Sequence, residues 1–163
     1  MKRLFYLLLL CCSSALAFTQ VSSPIKRAYA FYTLSMPGNV FTDDKGNTVP
    51  PVASLSRTIY FECSGTQMPV ITGIQYCNTL QKTELTRMPG TTVIVGKHIE
   101  TGKDYAINGR KGFTMWKIDI YPADDAKTVK GDCKLIIIKS KSGGRLSRCY
   151  LYSETELMPM PRY

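Results

Sequence analysis

Few side chains in this sequence could catalyse a reaction. His98 is the only histidine among the 163 residues, and it lies in a segment whose pattern predicts a strand. The sequence has no H-E-x-x-H, G-x-S-x-G or G-x-x-x-x-G-K-S/T motif, which would indicate a metalloprotease, a serine hydrolase or a phosphate-binding loop. Glu62 and Asp119 are the only carboxylates in strongly patterned strands, and two carboxylates can serve a glycosidase. We predict that the protein is not an enzyme and has no cofactor; an enzyme using Glu62 or Asp119 is a third hypothesis.

Basic residues form the most suggestive group. The segments on either side of Gly143-Gly144 predict a β-hairpin with a two-residue loop. In that register Lys139 stands directly opposite Arg148, an arrangement of like charges that costs stability. A solvated edge hairpin protected by lysines is one explanation, and a binding surface for phosphate, sulfate or carboxylate groups is the other. The residues predicted to bind are Lys139, Lys141, Arg145 and Arg148, joined by Arg110 and Lys111.

Aromatic residues are the second candidate for binding. The chain has ten tyrosines and one tryptophan, and most of the tyrosines fall on predicted strands. A tyrosine on a sheet face can stack on a sugar ring or contact a protein, because it has an apolar body and a polar tip. Tyrosine is also a favoured strand residue, so ordinary sheet packing explains the same pattern.

Alternating residues predict the strands that must position these groups. Leu55–Cys63 alternates between two sets of side chains, which is typical of a strand with one buried face. Thr79–Arg87 has mixed polarity and is predicted as one short helix or a surface connection. The predicted strands are Ala28–Ser35, Val40–Thr42, Thr48–Val49, Leu55–Cys63, Val70–Cys77, Thr92–Ile99, Asp104–Ile107, Phe113–Tyr121, Cys133–Ser140 and Arg145–Tyr152.

The short connections between these segments leave no room for crossover helices. We therefore predict an all-β fold, an antiparallel β-sandwich or partly open barrel of about eight or nine strands with little helix, stabilised by disulfides. The predicted organisation is a signal peptide over residues 1–17, a flexible mature N-terminus over 18–27, a single β domain over 28–152 and a C-terminal tail over 153–163.

The first residues predict export. Lys2 and Arg3 precede the apolar run Leu4–Leu10, and Ala15-Leu16-Ala17 provides a small-x-small cleavage site. The apolar run is too short for a transmembrane helix, which needs about 20 residues. We predict a secreted or periplasmic protein. The alternative is a membrane-tethered lipoprotein with a lipid anchor at Cys11 or Cys12.

Four cysteines remain after the predicted cleavage, and in an oxidising compartment they predict two disulfides. The hairpin register sends the side chains of Cys133 and Cys149 to opposite faces, and Cys63 and Cys77 lie at distant points of their hairpin. We therefore expect bridges between the two hairpins. No short C-x-x-C spacing indicates a zinc site, and no metal is expected. The predicted disulfide cysteines are Cys63, Cys77, Cys133 and Cys149.

The net charge of the chain limits the classes of partner that it favours. The formal net charge is +9, which favours anionic partners. In an extracytoplasmic setting we expect an acidic polysaccharide, lipid headgroups or an acidic protein rather than nucleic acid. The first hypothesis is a non-catalytic binding module that recognises an anionic polysaccharide or another cell-surface component through the basic hairpin. The second is a small secreted inhibitor or interaction protein that blocks an exported hydrolase with the loop Met36–Pro51.

Overall fold

The structure is a computed structural model that describes residues 23–35, 41–49, 54–65, 68–76, 79–121, 135–142 and 144–159. Within these ranges the chain forms twelve β-strands and no helix. The strands are β1 (Ile25–Ser35), β2 (Phe41–Thr42), β3 (Thr48–Val49), β4 (Ser54–Ser64), β5 (Val70–Tyr76), β6 (Thr79–Arg87), β7 (Thr92–Lys97), β8 (Asp104–Asn108), β9 (Phe113–Tyr121), β10 (Ile136–Ser142), β11 (Arg145–Leu151) and β12 (Thr155–Leu157).

Eight strands form one sheet in the order β11-β10-β5-β6-β9-β4-β1-β12. Neighbouring strands are antiparallel except β1 and β12, which run parallel with Tyr32 opposite Glu156. The pairs β2–β3 and β7–β8 form separate two-stranded hairpins. The all-β, largely antiparallel fold predicted from the sequence is thereby confirmed for the described residues.

The larger core lies on one face of the sheet, which we call the inner face. On β4, Ile59 and Phe61 point to this face and pair with Ile118 and Trp116 of β9. Such β-branched and aromatic side chains fit a pleated surface and exclude water from it. The buried residues of this core are Ile25, Ala30, Ile59, Phe61, Cys63, Ile74, Tyr76, Trp116, Ile118, Ile120, Ile136 and Ile138.

A second, smaller core lies on the opposite, outer face. Tyr60 of β4 and Met115 of β9 point outwards, and the β7–β8 hairpin covers them with Val93 and Ile107. The β-bridge between His98 and Leu157 ties this hairpin to β12. Because both faces of β4 are covered, Ile59–Cys63 is buried at every position, whereas the sequence pattern predicted one buried face.

The prediction for Thr79–Arg87 was wrong, because this segment is the strand β6 rather than a helix or a surface connection. It pairs with β5 on one side, where Ile74 faces Gln81, and with β9 on the other, where Leu85 faces Ile118. Its Leu85 side chain packs against the inner core. Neighbouring strands use the backbone groups of β6, so the strand forms without a strong apolar pattern of its own.

Two strands lie partly or wholly outside the predicted β domain of residues 28–152. β1 begins at Ile25, three residues before the predicted start at Ala28. β12 lies in the segment predicted as a C-terminal tail, where the hydroxyl of Tyr32 donates a hydrogen bond to Glu156 at 2.9 Å. Both ends of the described chain therefore contribute to the same sheet.

The predicted disulfides are not found in the described residues. Cys63 and Cys149 are free thiols. Cys63 stands opposite Ile25 of β1, and Cys149 stands opposite Ile138 of β10. Their strands, β4 and β11, are not neighbours in the order of the sheet, but both side chains contact the inner core and interact electrostatically. Burial raises the pKa of Cys63 to about 12, which makes it a poor nucleophile at neutral pH. Cys77 and Cys133 lie outside the described residues.

A polar cluster surrounds Glu154, just before β12. The hydroxyl of Tyr76 donates a hydrogen bond to its carboxylate, and Arg57 forms an ion pair with it at 3.3 Å. The guanidinium of Arg57 also lies 4.1 Å from the ring centroid of Tyr76. Burial, and then the hydrogen bond to Glu154, raises the pKa of Tyr76 to about 12. The cluster ties the segment before β12 to β4 and β5.

Replacing Tyr76 by Phe is expected to cost about 1–2 kcal/mol of unfolding free energy, because a buried carboxylate loses a donor. The folded-state pKa of Tyr76 lies above its ordinary value of 10.0, so this contribution is fully present below pH 10 and is lost as the pH rises through about 12. Denaturant titrations across alkaline pH measure it. Tyr152→Phe, at a side chain 71% exposed, is the control, and an equal loss in both variants would contradict the expectation.

Candidate functional site

The hairpin of β10 and β11 has the register that the sequence predicted. Ser142 stands opposite Arg145, and Lys139 stands opposite Arg148. Ser140 points to the inner face, where its hydroxyl lies 2.8 Å from that of Ser147. The alternation therefore directs Lys139 and Arg148 together to the outer face.

The four basic residues of this hairpin form no ion pair within the described ranges. Lys141, Arg145 and Arg148 are exposed and Lys139 is half-buried. In the part of the chain that the structure describes, no carboxylate lies within ion-pair distance of any of them. A cross-strand pair of cations holds its side chains about 4.5–5.5 Å apart at Cβ, so this surface concentrates positive charge without compensating it.

Tyrosines continue the same surface. Tyr150 follows Arg148 by two residues on β11 and is 45% exposed, and its ring stacks on that of Tyr152, with the centroids 6.4 Å apart and the planes at 14°. We call the outer surface formed by Lys139, Lys141, Arg148, Tyr150 and Tyr152 the basic–aromatic face.

Apolar side chains border the basic–aromatic face. Leu146, Val70 and Leu80 are each more than half exposed. The side chain of Leu80 covers Gly73, where an added Cβ would come within 2.8 Å of it. The apolar border offers flat contact area beside the charges.

Arg110 and Lys111 lie in the turn between β8 and β9, away from the hairpin strands. β9 begins with Phe113 opposite Ser64, and β5 begins with Val70 opposite Lys141. The turn and the hairpin tip therefore lie at the same end of the sheet. Lys111 is exposed, whereas Arg110 is engaged by a buried carboxylate.

That carboxylate belongs to Glu62, whose side chain is fully buried. Arg27 donates to both carboxylate oxygens through Nε at 3.0 Å and Nη2 at 2.6 Å, and Arg110 donates through its backbone N–H at 3.0 Å and its Nε at 2.9 Å. Burial opposes ionisation, but the hydrogen bonds from Arg27 and Arg110 outweigh it and hold the pKa of Glu62 below its usual range. Sequence reasoning missed this anchoring role.

The candidate catalytic carboxylates do not form a pair. Glu62 is opposite Met115 and Asp119 is opposite Thr58, which separates them by four residues along adjacent strands. That is about 13 Å, beyond the separation of about 5–9.5 Å that glycosidases use. Asp119 accepts a hydrogen bond from Thr58 at 3.1 Å and forms an ion pair with Lys117 at 2.7 Å.

The structure describes His98 and part of the predicted interaction loop, but not the predicted signal peptide. His98 packs its ring 4.5 Å from that of Tyr105 and bridges to β12. Of the loop Met36–Pro51, the structure describes residues 41–49, a small hairpin in which Asp43 accepts backbone hydrogen bonds from Lys45 and Asn47. The predicted signal peptide and the lipid-anchor cysteines Cys11 and Cys12 lie outside the described residues.

Searches against protein families, curated proteins and solved structures found no match for this chain. The residues of the described ranges include no helix long and apolar enough to cross a membrane.

Proposed function

We propose that the protein is an exported, non-catalytic binding module that recognises an anionic polysaccharide through the basic–aromatic face. The observation that carries the proposal is the direct opposition of Lys139 and Arg148 without a carboxylate partner among the described residues. Two uncompensated cations facing each other weaken the hairpin. An anionic ligand that binds both cations would relieve their repulsion, and this relief would add to the binding affinity.

The tyrosines support a sugar rather than a bare anion. Stacked Tyr150 and Tyr152 present aromatic surface next to Arg148, and aromatic faces contact the apolar side of a sugar ring. A chain of acidic sugars would place its carboxylate or sulfate groups on Lys139, Lys141 and Arg148. Arg145 and Lys111, at the same end of the sheet, extend the cationic path for a longer chain.

The shape of the sheet supports a stable platform. β1 and β11 are at or near opposite ends of the strand order, yet they are in contact. We propose that the sheet closes as a partly open barrel along this contact. Closure would protect the edge of β11 from pairing with another chain and would leave its outer side chains free to bind.

The test is binding of heparin and of alginate, a sulfated and a carboxylated polysaccharide, to the purified protein by calorimetry. The variant K139Q/R148Q is expected to bind at least about tenfold more weakly, because two charge-assisted contacts are lost. For the natural sequence, affinity should fall steeply when salt rises from about 50 to about 200 mM.

The variant K45Q/K103Q removes the same charge from two exposed turns and is the matched control. If the two double variants bound equally weakly, the net charge of the protein alone would explain the binding, and the proposal would be contradicted. Absence of binding to either polysaccharide at low salt would also contradict it. Tyr152→Ala tests stacking and is expected to weaken binding with no change in its salt dependence.

A further inference from the structure

Three large apolar side chains are exposed at the end of the sheet where β5 begins and the β10–β11 hairpin turns. Met68, Val70 and Leu146 are 60%, 56% and 73% exposed. Val70 is the first residue of β5, and Leu146 is the second residue of β11. Single exposed apolar side chains are ordinary, but a group of them at one end of a sheet indicates a surface that a partner covers.

The strand register places these apolar side chains around a lysine. Lys141 of β10 stands directly opposite Val70 on one side and opposite Leu146 on the other. The three side chains therefore form one row across three strands. Neighbouring strands lie about 4.8 Å apart, so the row is about 10 Å wide, and residues that stand opposite each other point to the same face. The row belongs to the outer face of the sheet.

Positive charge without a paired carboxylate adjoins this row. Lys141 and Arg145 are exposed, and neither forms an ion pair in the part of the chain that the structure describes. Arg145 stands opposite Ser142, in the last pair before the turn. Long basic side chains can lie along an apolar surface while their charged groups stay in water. We call the group formed by Met68, Val70, Lys141, Arg145 and Leu146 the tip patch.

The chemistry of the tip patch matches the surface of an anionic bilayer. At such a surface, apolar side chains enter the boundary between headgroups and acyl chains, and cations meet the lipid phosphates. A polysaccharide offers no continuous apolar layer for the exposed apolar side chains. A protein partner would need acidic and apolar groups at matching positions, whereas an anionic bilayer presents both over its whole area.

We propose that the tip patch binds the surface of an anionic phospholipid bilayer. Its apolar side chains enter the bilayer to a shallow depth, and the charged groups of Lys141 and Arg145 contact lipid phosphates. Lys139 and Arg148 lie two residues farther from the turn on their strands, which is about 7 Å, and they stay outside the bilayer. The proposal does not rest on polysaccharide binding.

Co-sedimentation with lipid vesicles tests the proposal, using protein purified after export from the producing cell. Vesicles of phosphatidylglycerol and phosphatidylcholine in equal amounts are compared with vesicles of phosphatidylcholine alone. The natural sequence is expected to bind the anionic vesicles at least about tenfold more tightly, because each cation near the surface adds attraction. The variant K141Q/R145Q is expected to lose most of this preference.

The variant V70N/L146N keeps every charge and isolates the apolar contribution. It is expected to bind the anionic vesicles at least about tenfold more weakly, because two side chains no longer enter the acyl boundary. The matched control L80N/I94N makes the same change at side chains that are 65% and 64% exposed outside the tip patch, and it should bind like the natural sequence. The heparin affinity of V70N/L146N should be unchanged, so the two binding proposals can fail separately.

Three results would overturn the proposal: no binding of the natural sequence to anionic vesicles, equal binding to both kinds of vesicle, or equal behaviour of V70N/L146N and L80N/I94N. Sedimentation velocity without vesicles tests a second copy of the chain as the occupant. A dimer that V70N/L146N abolishes, in a protein that binds no vesicles, would assign the tip patch to self-association instead.

Discussion

Replacing Glu62 by Gln is expected to lower the free energy of unfolding by about 3 kcal/mol, because it removes the charge that pairs two arginines. The carboxylate is fully buried and accepts four hydrogen bonds from Arg27 and Arg110. An amide accepts at one oxygen only and directs its own N–H donors at guanidinium donors. Arg27 also donates to the carbonyl of Asn108 at 2.8 Å, so the variant should loosen the end of β8 as well.

The pH dependence provides a second measurement of the same cluster. The folded-state pKa of Glu62 lies below its ordinary value of 4.5. Its contribution is therefore present above pH 4.5 and is lost as the pH falls through the lowered folded-state value. Chemical denaturation should show the full difference between the natural sequence and Glu62→Gln at neutral pH, and a smaller difference in acid.

The control for Glu62→Gln is Glu100→Gln, at an exposed position in the turn between β7 and β8. This change is expected to stay within about 0.5 kcal/mol of the natural sequence at neutral pH. If the two variants were equally stable, the hydrogen bonds of Glu62 would not be what fixes the β8–β9 turn to the sheet.

Replacing Phe61 by Ala is expected to cost about 4 kcal/mol of unfolding free energy. Phe61 is completely buried on β4 and stands between Ala28 of β1 and Trp116 of β9. Strands lie on both sides and the outer core covers the opposite face, so the surroundings cannot collapse into the space left. The loss of stability therefore includes the cost of the cavity left behind as well as the lost free energy of transferring the aromatic ring out of water.

Denaturant unfolding with linear extrapolation measures this loss. Leu146→Ala removes a large apolar side chain that is 73% exposed on the hairpin, and it should change stability by no more than about 0.5 kcal/mol. A loss below about 1.5 kcal/mol for Phe61→Ala would mean that the inner core repacks, contrary to the arrangement described.

The strands with regular alternation were predictable from the sequence. β4, β9 and the β10–β11 hairpin each carry a regular alternation, and the predicted opposition of Ser142 and Arg145 is the one observed. Thr79–Arg87 was not predictable, because its place in the sheet comes from pairing with β5 and β9, which is information about distant segments.

The candidate site was also predictable only in part. Local register sufficed to place Lys139 opposite Arg148. The pairing of Glu62 with Arg27 and Arg110 depends on which turns meet in space. One signal for Glu62 was present in the sequence: a lone carboxylate between Phe61 and Cys63, on a strand with little other charge. A buried acid of that kind requires cationic partners.

The parallel pairing of β1 with β12 has a consequence for how the chain acquires its fold. Tyr32 bonds to Glu156 across 124 positions of sequence, so the N-terminal strand cannot complete its pairing until nearly the whole described chain has been synthesised. Domains with such high contact order fold slowly, on a scale of about milliseconds to seconds. During that interval β1 presents an unpaired edge to other nascent chains, which makes early folding, rather than the finished molecule, the stage most exposed to aggregation.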